Sequence, residues 1–400
     1  MLTVVGIGAG GWPGLGDDAR EAVGGARLIV GSRRQLDLLP ASVPGTRRAW
    51  PSPMRPLVDR LAGGLEGDAT ILASGDPMLH GVGATLIDAA GVSRVRILPH
   101  PSAFSLACAR MGWPEADVTL VSSVAEPPEV VIRALQPGRR IVVYVAGSDG
   151  AARLARVICD HGCPASRLAI LESLGGPNES RTDLRADEAT DRLAGPLHLV
   201  AIAVAGGPAL STTPGRPDDA YSSDGQLTKR HVRAITLAAL GPLPGDLLWD
   251  VGAGTGSVGV EWLRAEPAAR AIAVEARADR CRRITENARA LGVPELGVVR
   301  GRAPGVLGDL PAPDAIFLGG GVTTPGVLDT CWATVKPGGR LVANTVTLEG
   351  EAAVIAARAV RGGSLTRIDI ADALPVGGFT GWRSRMTVVQ WSTVKDARPG

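Results

Sequence analysis

The sequence predicts an α/β protein with a two-lobed N-terminal half and a C-terminal doubly wound sheet. Short apolar runs of strand length alternate with helical periodicity along most of the chain. Two such runs empty into glycine-rich turns, Gly6-Ile7-Gly8-Ala9-Gly10-Gly11 and Gly252-Ala253-Gly254-Thr255-Gly256. Between them, Gly206 to Gly225 loses all apolar periodicity and gathers Pro208, Pro214, Pro217, Asp218 and Asp219, which marks a linker. The expected organisation is therefore residues 1–205 in lobes of about 1–112 and 113–205, a linker over 206–225, a domain over 226–393 and a tail over 394–400.

At 400 residues the chain has room for two or three domains with substantial cores. A formal net charge of +2 creates no global basic field, and 3% aromatic content leaves few rings for base stacking, so a nucleic-acid partner is not expected. Five cysteines, Cys108, Cys159, Cys163, Cys281 and Cys331, are odd in number and lie mostly in helical patterns, as reduced thiols of a cytoplasmic protein would. Cys159-Asp160-His161-Gly162-Cys163 has no second ligand cluster, so no metal site is expected. Met1 to Val5 lacks a basic n-region and reads as a strand, and no apolar run is long enough to span a membrane.

In chain order, strand Leu2 onward precedes the first glycine turn, followed by helix Asp17–Ala26 and strand Leu28–Val30. Helix Arg55–Leu65 leads to strand Ala69–Ala73, which ends in Ser74-Gly75-Asp76-Pro77-Met78-Leu79. Strand Val95–Leu98 ends in Pro99-His100-Pro101-Ser102-Ala103, where Ser102 is placed to cap helix Ala103–Met111. Three strand ends thus carry small or polar residues, and ligands of open parallel sheets sit beyond such ends. After the hinge-like Gly112-Trp113-Pro114, the strands are Val118–Val121, Arg140–Val145, Leu168–Leu171 and His198–Val204, with helices Pro127–Leu135 and Gly150–His161. Beyond the linker, helix Leu227–Leu240 precedes seven strands, the last two, Thr366–Ala371 and Arg385–Trp391, forming an antiparallel tail.

The second turn carries the chemistry. Gly254-Thr255-Gly256-Ser257-Val258-Gly259 also fits a dinucleotide fingerprint, a weak signal alone. Asp250 sharpens it: a carboxylate there repels a pyrophosphate but can pair with the ammonium of an amino-acid ligand. Strand Ala271–Val274 ends in Glu275, about 20 residues downstream, where an acid takes ribose hydroxyls. Asp250, the glycines and Glu275 together predict an S-adenosylmethionine site, and a nicotinamide cofactor is disfavoured.

Two resemblances follow. Leu248 to Val258, preceded by Leu227-Thr228-Lys229 and followed by Phe317-Leu318-Gly319-Gly320 and Ala343-Asn344, resembles the small Rossmann-type methyltransferases of cobalamin biosynthesis. Gly6-Ile7-Gly8-Ala9-Gly10, Ser74-Gly75-Asp76-Pro77 and Pro101-Ser102-Ala103 are similar to the tetrapyrrole methylase family. This pairing implies a two-lobed tetrapyrrole methylase fold before the Rossmann-like domain. It also implies methylation of a corrin precursor at C5 and C15, with loss of carbon dioxide from the ring C acetate.

The resemblance further implies S-adenosylmethionine contacts at Thr228, Gly252 to Gly256, Glu275 and Ala303 in the C-terminal domain. In the N-terminal domain it places them at Ala9, Gly75, Asp76, Leu79, Ser102 and Ala103, beside the turn glycines Gly6, Gly8 and Gly10. One cofactor per domain, a tetrapyrrole substrate and self-association are the expected partners. Where many relatives have proline this chain has Ala9, and His100-Pro101 replaces a common glycine-isoleucine.

Methyl transfer from a sulfonium needs mainly orientation, whereas decarboxylation needs an acid and a dry pocket. Glu261, His231 and Asp314 are the candidate acids, each with a competing structural role. Arg33-Arg34, Arg230, Arg233, Arg383 and Arg385 are the clusters available to hold substrate carboxylates, with Arg230 and Arg233 the leading candidates, and Gly319-Gly320-Gly321 with Asn344 to border a flat macrocycle. Two other readings stay open: another methyl acceptor, such as a cobalt-containing precursor or RNA, and a non-catalytic protein that binds S-adenosylmethionine.

Overall fold

The computed structural model describes residues 1–208 and 211–396; the ends of the expected tail, 397–400, and residues 209–210 of the expected linker lie outside the described residues. It divides into two compact units, Met1–Ala125 with Gln136–Gly207, and Glu126–Leu135 with Pro208–Gly400.

The first unit opens with β1 (Leu2–Ile7), α1 (Asp17–Gly24), β2 (Leu28–Gly31), α2 (Arg33–Asp37), β3 (Thr46–Ala49), α3 (Arg55–Ala62), β4 (Ala69–Ser74), α4 (Val82–Ala90), β5 (Val95–Leu98) and α5 (Ala103–Met111). The five strands form a parallel sheet in the order β3-β2-β4-β1-β5. Val4, Val5, Ile7, Ile29, Val30, Ile71 and Leu72 are almost completely buried on its two faces, which is why these strands read as continuous apolar runs. Ser102 caps α5 as its position predicts, its Oγ accepting from the Ser105 N–H at 2.9 Å.

The same unit continues with β6 (Val118–Ser122), β7 (Arg140–Tyr144), α6 (Gly150–Asp160), β8 (Arg167–Glu172), β9 (Ser180–Arg185) and β10 (His198–Ala203). Their order is β6-β7-β10-β8-β9, antiparallel except for β6 on β7. β9 was not expected, because the segment Ser-Arg-Thr-Asp-Leu-Arg has no apolar face to advertise an edge strand.

The second unit contains α7 (Arg230–Leu240), β11 (Leu247–Val251), α8 (Ser257–Ala265), β12 (Arg270–Glu275), α9 (Ala278–Ala290), β13 (Gly297–Arg300), β14 (Ala315–Leu318), α10 (Val327–Thr334), β15 (Arg340–Thr345), α11 (Leu348–Arg361), β16 (Ser364–Ile368), a hairpin of β17 (Ala371–Val376) and β18 (Phe379–Ser384), and β19 (Val388–Val394). Seven strands make one sheet in the order β13-β12-β11-β14-β15-β19-β16. It is parallel except for β19, which runs antiparallel to both neighbours, so the expected doubly wound sheet with an antiparallel tail is what forms. Two apolar layers enclose it, one around Trp262, Leu263, Ile284 and Phe317, the other around Trp249, Ile316, Leu341 and Trp391. α7 starts at Arg230 and not Leu227, since the Thr228 carbonyl is taken by the Arg233 guanidinium.

Within the second unit, residues 215–221 of the expected linker pack on α8: the backbone N–H groups of Gly215 and Arg216 and the Tyr221 hydroxyl all donate to the Glu261 carboxylate. Among the described residues, no helix is long and apolar enough to cross a membrane.

Candidate functional site

β11 is apolar and central, so its end delivers the following turn to the middle of the sheet edge. There a cavity of about 910 Å³ opens, lined on one side by Gly252, Ala253, Gly254, Glu275, Arg302 and Ala303. Gly319, Gly320 and Gly321 after β14 and Asn344 at the end of β15 form its floor. Gly252 has φ 72°, and a Cβ there would stand 3.0 Å from the Gly320 nitrogen, so both dihedral and space demand glycine. Gly320 has nothing within 4 Å of its missing Cβ; the floor is bare backbone.

Glu275 is 6% exposed, with Oε2 accepting from the Gly254 N–H and Oε1 from the Arg277 N–H, each at 3.0 Å. The turn and the acid are thereby one rigid piece. Asn344 Nδ2 donates to Thr236 Oγ1 at 2.8 Å, and its Oδ1 accepts from Gln390 at 3.0 Å, so its amide is held against the wall. A backbone floor, an acid at one rim and an apolar far wall of Val232, Val346, Ile370 and Val388 fit a nucleoside-bearing cofactor beside a flat substrate.

The structure brings Thr228, Gly252, Ala253, Gly254, Glu275, Ala303, Gly319, Gly320, Gly321 and Asn344 to this one cavity. It does not bring Asp250 there. Asp250 is 1% exposed, and its Oδ2 accepts from the Gly259 N–H of α8 at 3.0 Å. Alternation along β11 turns it toward α8 and away from the cavity, so the geometry gives no support to the expected pairing with a ligand ammonium. Burial pushes the Asp250 carboxyl up to about 7, opposed by the Gly259 hydrogen bond and aided by the Glu275 charge. Thr255 is likewise buried, and Gly256, at φ 75°, packs on Ile284.

None of the three candidate acids is among the residues that line the cavity. Glu261 is 1% exposed and accepts from Arg233 Nε at 2.6 Å, besides the three donors of residues 215–221. It is the centre of a buried polar cluster and does not line the cavity. Arg233, fully buried, pairs with Glu261 and Asp218 and stacks over the Tyr221 ring at 4.8 Å, so it is not free for a substrate carboxylate. Arg230 Nε donates to the Gly215 carbonyl at 2.7 Å, outside the cavity lining. Asp314 precedes β14, at the opposite edge of the sheet, and is held by Lys336 and the Leu247 N–H. His231 is exposed on the first turn of α7 and is not a lining residue.

Two further lining residues come from far along the chain, one of them, Arg385, among the arginines the sequence offered for substrate carboxylates. Arg385 and Asp372, at the base of the β17–β18 hairpin, form an ion pair with Arg385 Nη2 donating to Asp372 Oδ1 at 2.9 Å. Nothing in their local sequence marks them as neighbours of the glycine turn.

In the first unit, the ends of the adjacent strands β4, β1 and β5 converge. The Gly75 N–H donates to the Ile7 carbonyl at 3.0 Å, and the Gly75 Cβ position lies 3.3 Å from Ser102 Cα. Gly6 and Gly75 are thereby brought together with Ser102 at the carboxyl ends of these strands, and Gly8, Asp76, Leu79 and Ala103 lie on the segments that follow them. Ala9 and Gly10 approach the loop after β8: a Cβ on Gly176 would meet the Ala9 Cβ at 2.9 Å, and one on Gly10 would meet the Gly175 oxygen at 2.7 Å. Tyr144, which no sequence motif marks, accepts from the Phe104 N–H at 3.0 Å, with the His80 ring edge-on to it at 6.0 Å.

Residues 1–190 match the tetrapyrrole (corrin/porphyrin) methylases, and residues 219–395 match the precorrin methyltransferase domain. The precorrin-6Y C(5,15)-methyltransferase (decarboxylating) of a Sinorhizobium species is 44% identical over 397 residues, covering 98% of this chain and 96% of that one. Its counterpart from Mycobacterium tuberculosis (strain CDC 1551 / Oshkosh) is 45% identical over 396 residues, covering 99% of this chain and 100% of that one. A crystal structure of the C-terminal domain of precorrin-6Y C5,15-methyltransferase from Rhodobacter capsulatus is 48% identical, covers 46% of this chain and 100% of its own, and superposes with a TM-score of 0.45. With such identity along nearly its entire length, the chain belongs to the family of the decarboxylating precorrin-6Y C5,15-methyltransferases.

Proposed function

We propose that the chain methylates precorrin-6B (precorrin-6Y) at C5 and C15 and removes carbon dioxide from its ring C acetate, using one S-adenosylmethionine in each unit. The cavity framed by the Gly252–Gly254 turn, Glu275 and the bare Gly319–Gly321 floor carries this reading. When bound, the cofactor supplies an electrophilic methyl group on a sulfonium.

The chain's own residues bind and orient. Glu275 offers carboxylate oxygens to ribose hydroxyls at the rim, and Ala253 and Ala303 leave room beside it. The glycine floor lets a flat ring lie close to the cofactor, and the amide of Asn344, fixed by Thr236 and Gln390, limits its tilt. Val232 and Val388, both buried, line that end with apolar surface, which favours loss of the acetate carboxylate as neutral carbon dioxide, the electron pair of the broken C–C bond passing into the protonated, conjugated macrocycle. In the first unit, Ala9, Gly75, Asp76, Leu79, Ser102 and Ala103, just beyond the carboxyl ends of β1, β4 and β5, take the second cofactor.

Mass spectrometry of the product tests this. Incubation of the intact chain with metal-free substrate and S-adenosylmethionine is expected to add two methyl groups and remove one carbon dioxide. No change with the metal-free substrate but turnover of its cobalt complex would reassign the substrate. No change with either would overturn the reading in favour of another acceptor.

A further inference from the structure

The cavity does not end at Arg385 and Asp372. In the β17–β18 register Asp372 faces Arg383, Leu374 faces Gly381 and Val376 faces Phe379, and the Arg385 N–H donates to the Ile370 carbonyl one step further in. Directly opposed residues of an antiparallel pair project to the same face, and alternate residues along each strand share it. One face therefore carries Ile370, Asp372, Leu374, Val376, Phe379, Gly381, Arg383 and Arg385. Ile370, Asp372 and Arg385 line the cavity, so the outer part of this face continues its wall.

That outer part is apolar and uncovered: Leu374 is 40%, Val376 63% and Phe379 84% exposed, with glycine at 381 leaving it flat between them. It also carries cations. Asp372 occupies Nε and one Nη2 hydrogen of Arg385, which leaves the other guanidinium hydrogens for an anion. Arg383 is exposed, and among the described residues no side-chain hydrogen bond or ion pair engages its guanidinium.

We infer that this hairpin face is the second wall of the substrate site, on which the flat body of the tetrapyrrole rests while Arg383 and Arg385 pair with its peripheral carboxylates. A broad apolar ring edged with carboxylates needs a flat apolar strip edged with guanidinium groups, which is what the face presents. The inference takes the tetrapyrrole reading as given. Asp372 is then a positioning residue that holds the Arg385 fork in one orientation.

The test uses the full chain and follows carbon dioxide release, with the KM values of tetrapyrrole and S-adenosylmethionine measured separately and assembly size followed by light scattering. Arg385→Gln is expected to raise the tetrapyrrole KM about tenfold and Arg383→Gln about threefold, as loss of charge-assisted contacts does. Phe379→Ser is expected to raise it about fivefold through lost apolar contact. The KM for S-adenosylmethionine stays unchanged in all three, which shows that the variants are folded, and Arg385→Lys recovers part of the loss. An unchanged tetrapyrrole KM in both Arg383→Gln and Phe379→Ser overturns the inference; if assembly size changes at the same time, the face belongs to a second copy of the chain. An inactive wild-type chain counts against the functional reading alone. Equilibrium binding of the tetrapyrrole to wild type and Arg383→Gln then decides the hairpin: weaker binding by the variant supports it and equal binding overturns it.

Discussion

Both units end a parallel strand in a run of glycines, yet the two runs need glycine for different reasons. In the second unit Gly252, Gly254 and Gly256 have φ of 72°, 60° and 75°, the left-handed region that disfavours side chains. The turn coils back on itself and leaves a large cavity above a bare floor. In the first unit Gly6 and Gly8 are absent from the positive-φ glycines; they are small because neighbours crowd them. A Cβ on Gly6 would stand 2.3 Å from the Gly75 oxygen, and one on Gly8 would stand 2.6 Å from His100 Cε1. One sequence signature thus encodes an opened turn in one place and a tight meeting of strand ends in the other.

The sharpest break of this comparison is Gly6→Ala. The added methyl must displace the backbone oxygen of Gly75, at a cost of about 1–3 kcal/mol. Thermal unfolding should show the loss, while carbon dioxide release, which the proposed reading puts at the apolar end of the second unit's cavity, keeps its KM for S-adenosylmethionine. A large rise in that KM would mean that the two turns are not independent.

Gly252→Ala should cost somewhat less stability, about 1–2 kcal/mol for the left-handed backbone. Its methyl points at Gly320, so carbon dioxide release should fall far more than the melting temperature does. Full activity in this variant would remove the turn from the site.

Glu275→Gln keeps the shape of the rim and removes its charge. Calorimetric titration is expected to show about tenfold weaker S-adenosylmethionine binding at the second unit, about 1.4 kcal/mol, with binding at the first unit unchanged.

The smallest effect concerns Asp250, buried between the turn and α8. Its carboxyl is pushed up to about 7, so the folded chain retains a proton that the unfolded chain releases in the ordinary aspartate range. Stability from this group therefore falls as pH rises from that range and levels off above about 7. Asp250→Asn should flatten that fall in melting temperature and leave S-adenosylmethionine affinity within about twofold, since residue 250 does not line the cavity. A fall of equal steepness in the variant would assign it to another group.

Elements with an apolar signature are legible in the sequence alone. Val95–Leu98 and Ala103–Met111 form over the residues their patterns delimit, because a buried strand and a capped helix are written in local spacing. The hairpin Ala371–Val376 with Phe379–Ser384 is not legible, since it buries neither face and so has no alternation to read. The helix Val82–Ala90 escapes for a related reason: entered through Gly81 with no side-chain cap, it lacks a start signal.

The site divides along the same line. The two α/β units, the strand–turn–helix at Gly252 and the acid at Glu275 are all legible in the chain, because the turn is written in local spacing and Glu275 stands at the end of the next apolar strand. Which acids and arginines reach the cavity is settled by long-range packing. Glu261 and Arg233 look available in sequence, but Gly215, Arg216, Asp218 and Tyr221 return to enclose them. Arg385 is offered by the sequence alongside Arg233, yet the hairpin brings Arg385 and not Arg233 to the cavity that begins at Gly252. A charged side chain goes where its partners are, and those partners lie tens of residues away along the chain.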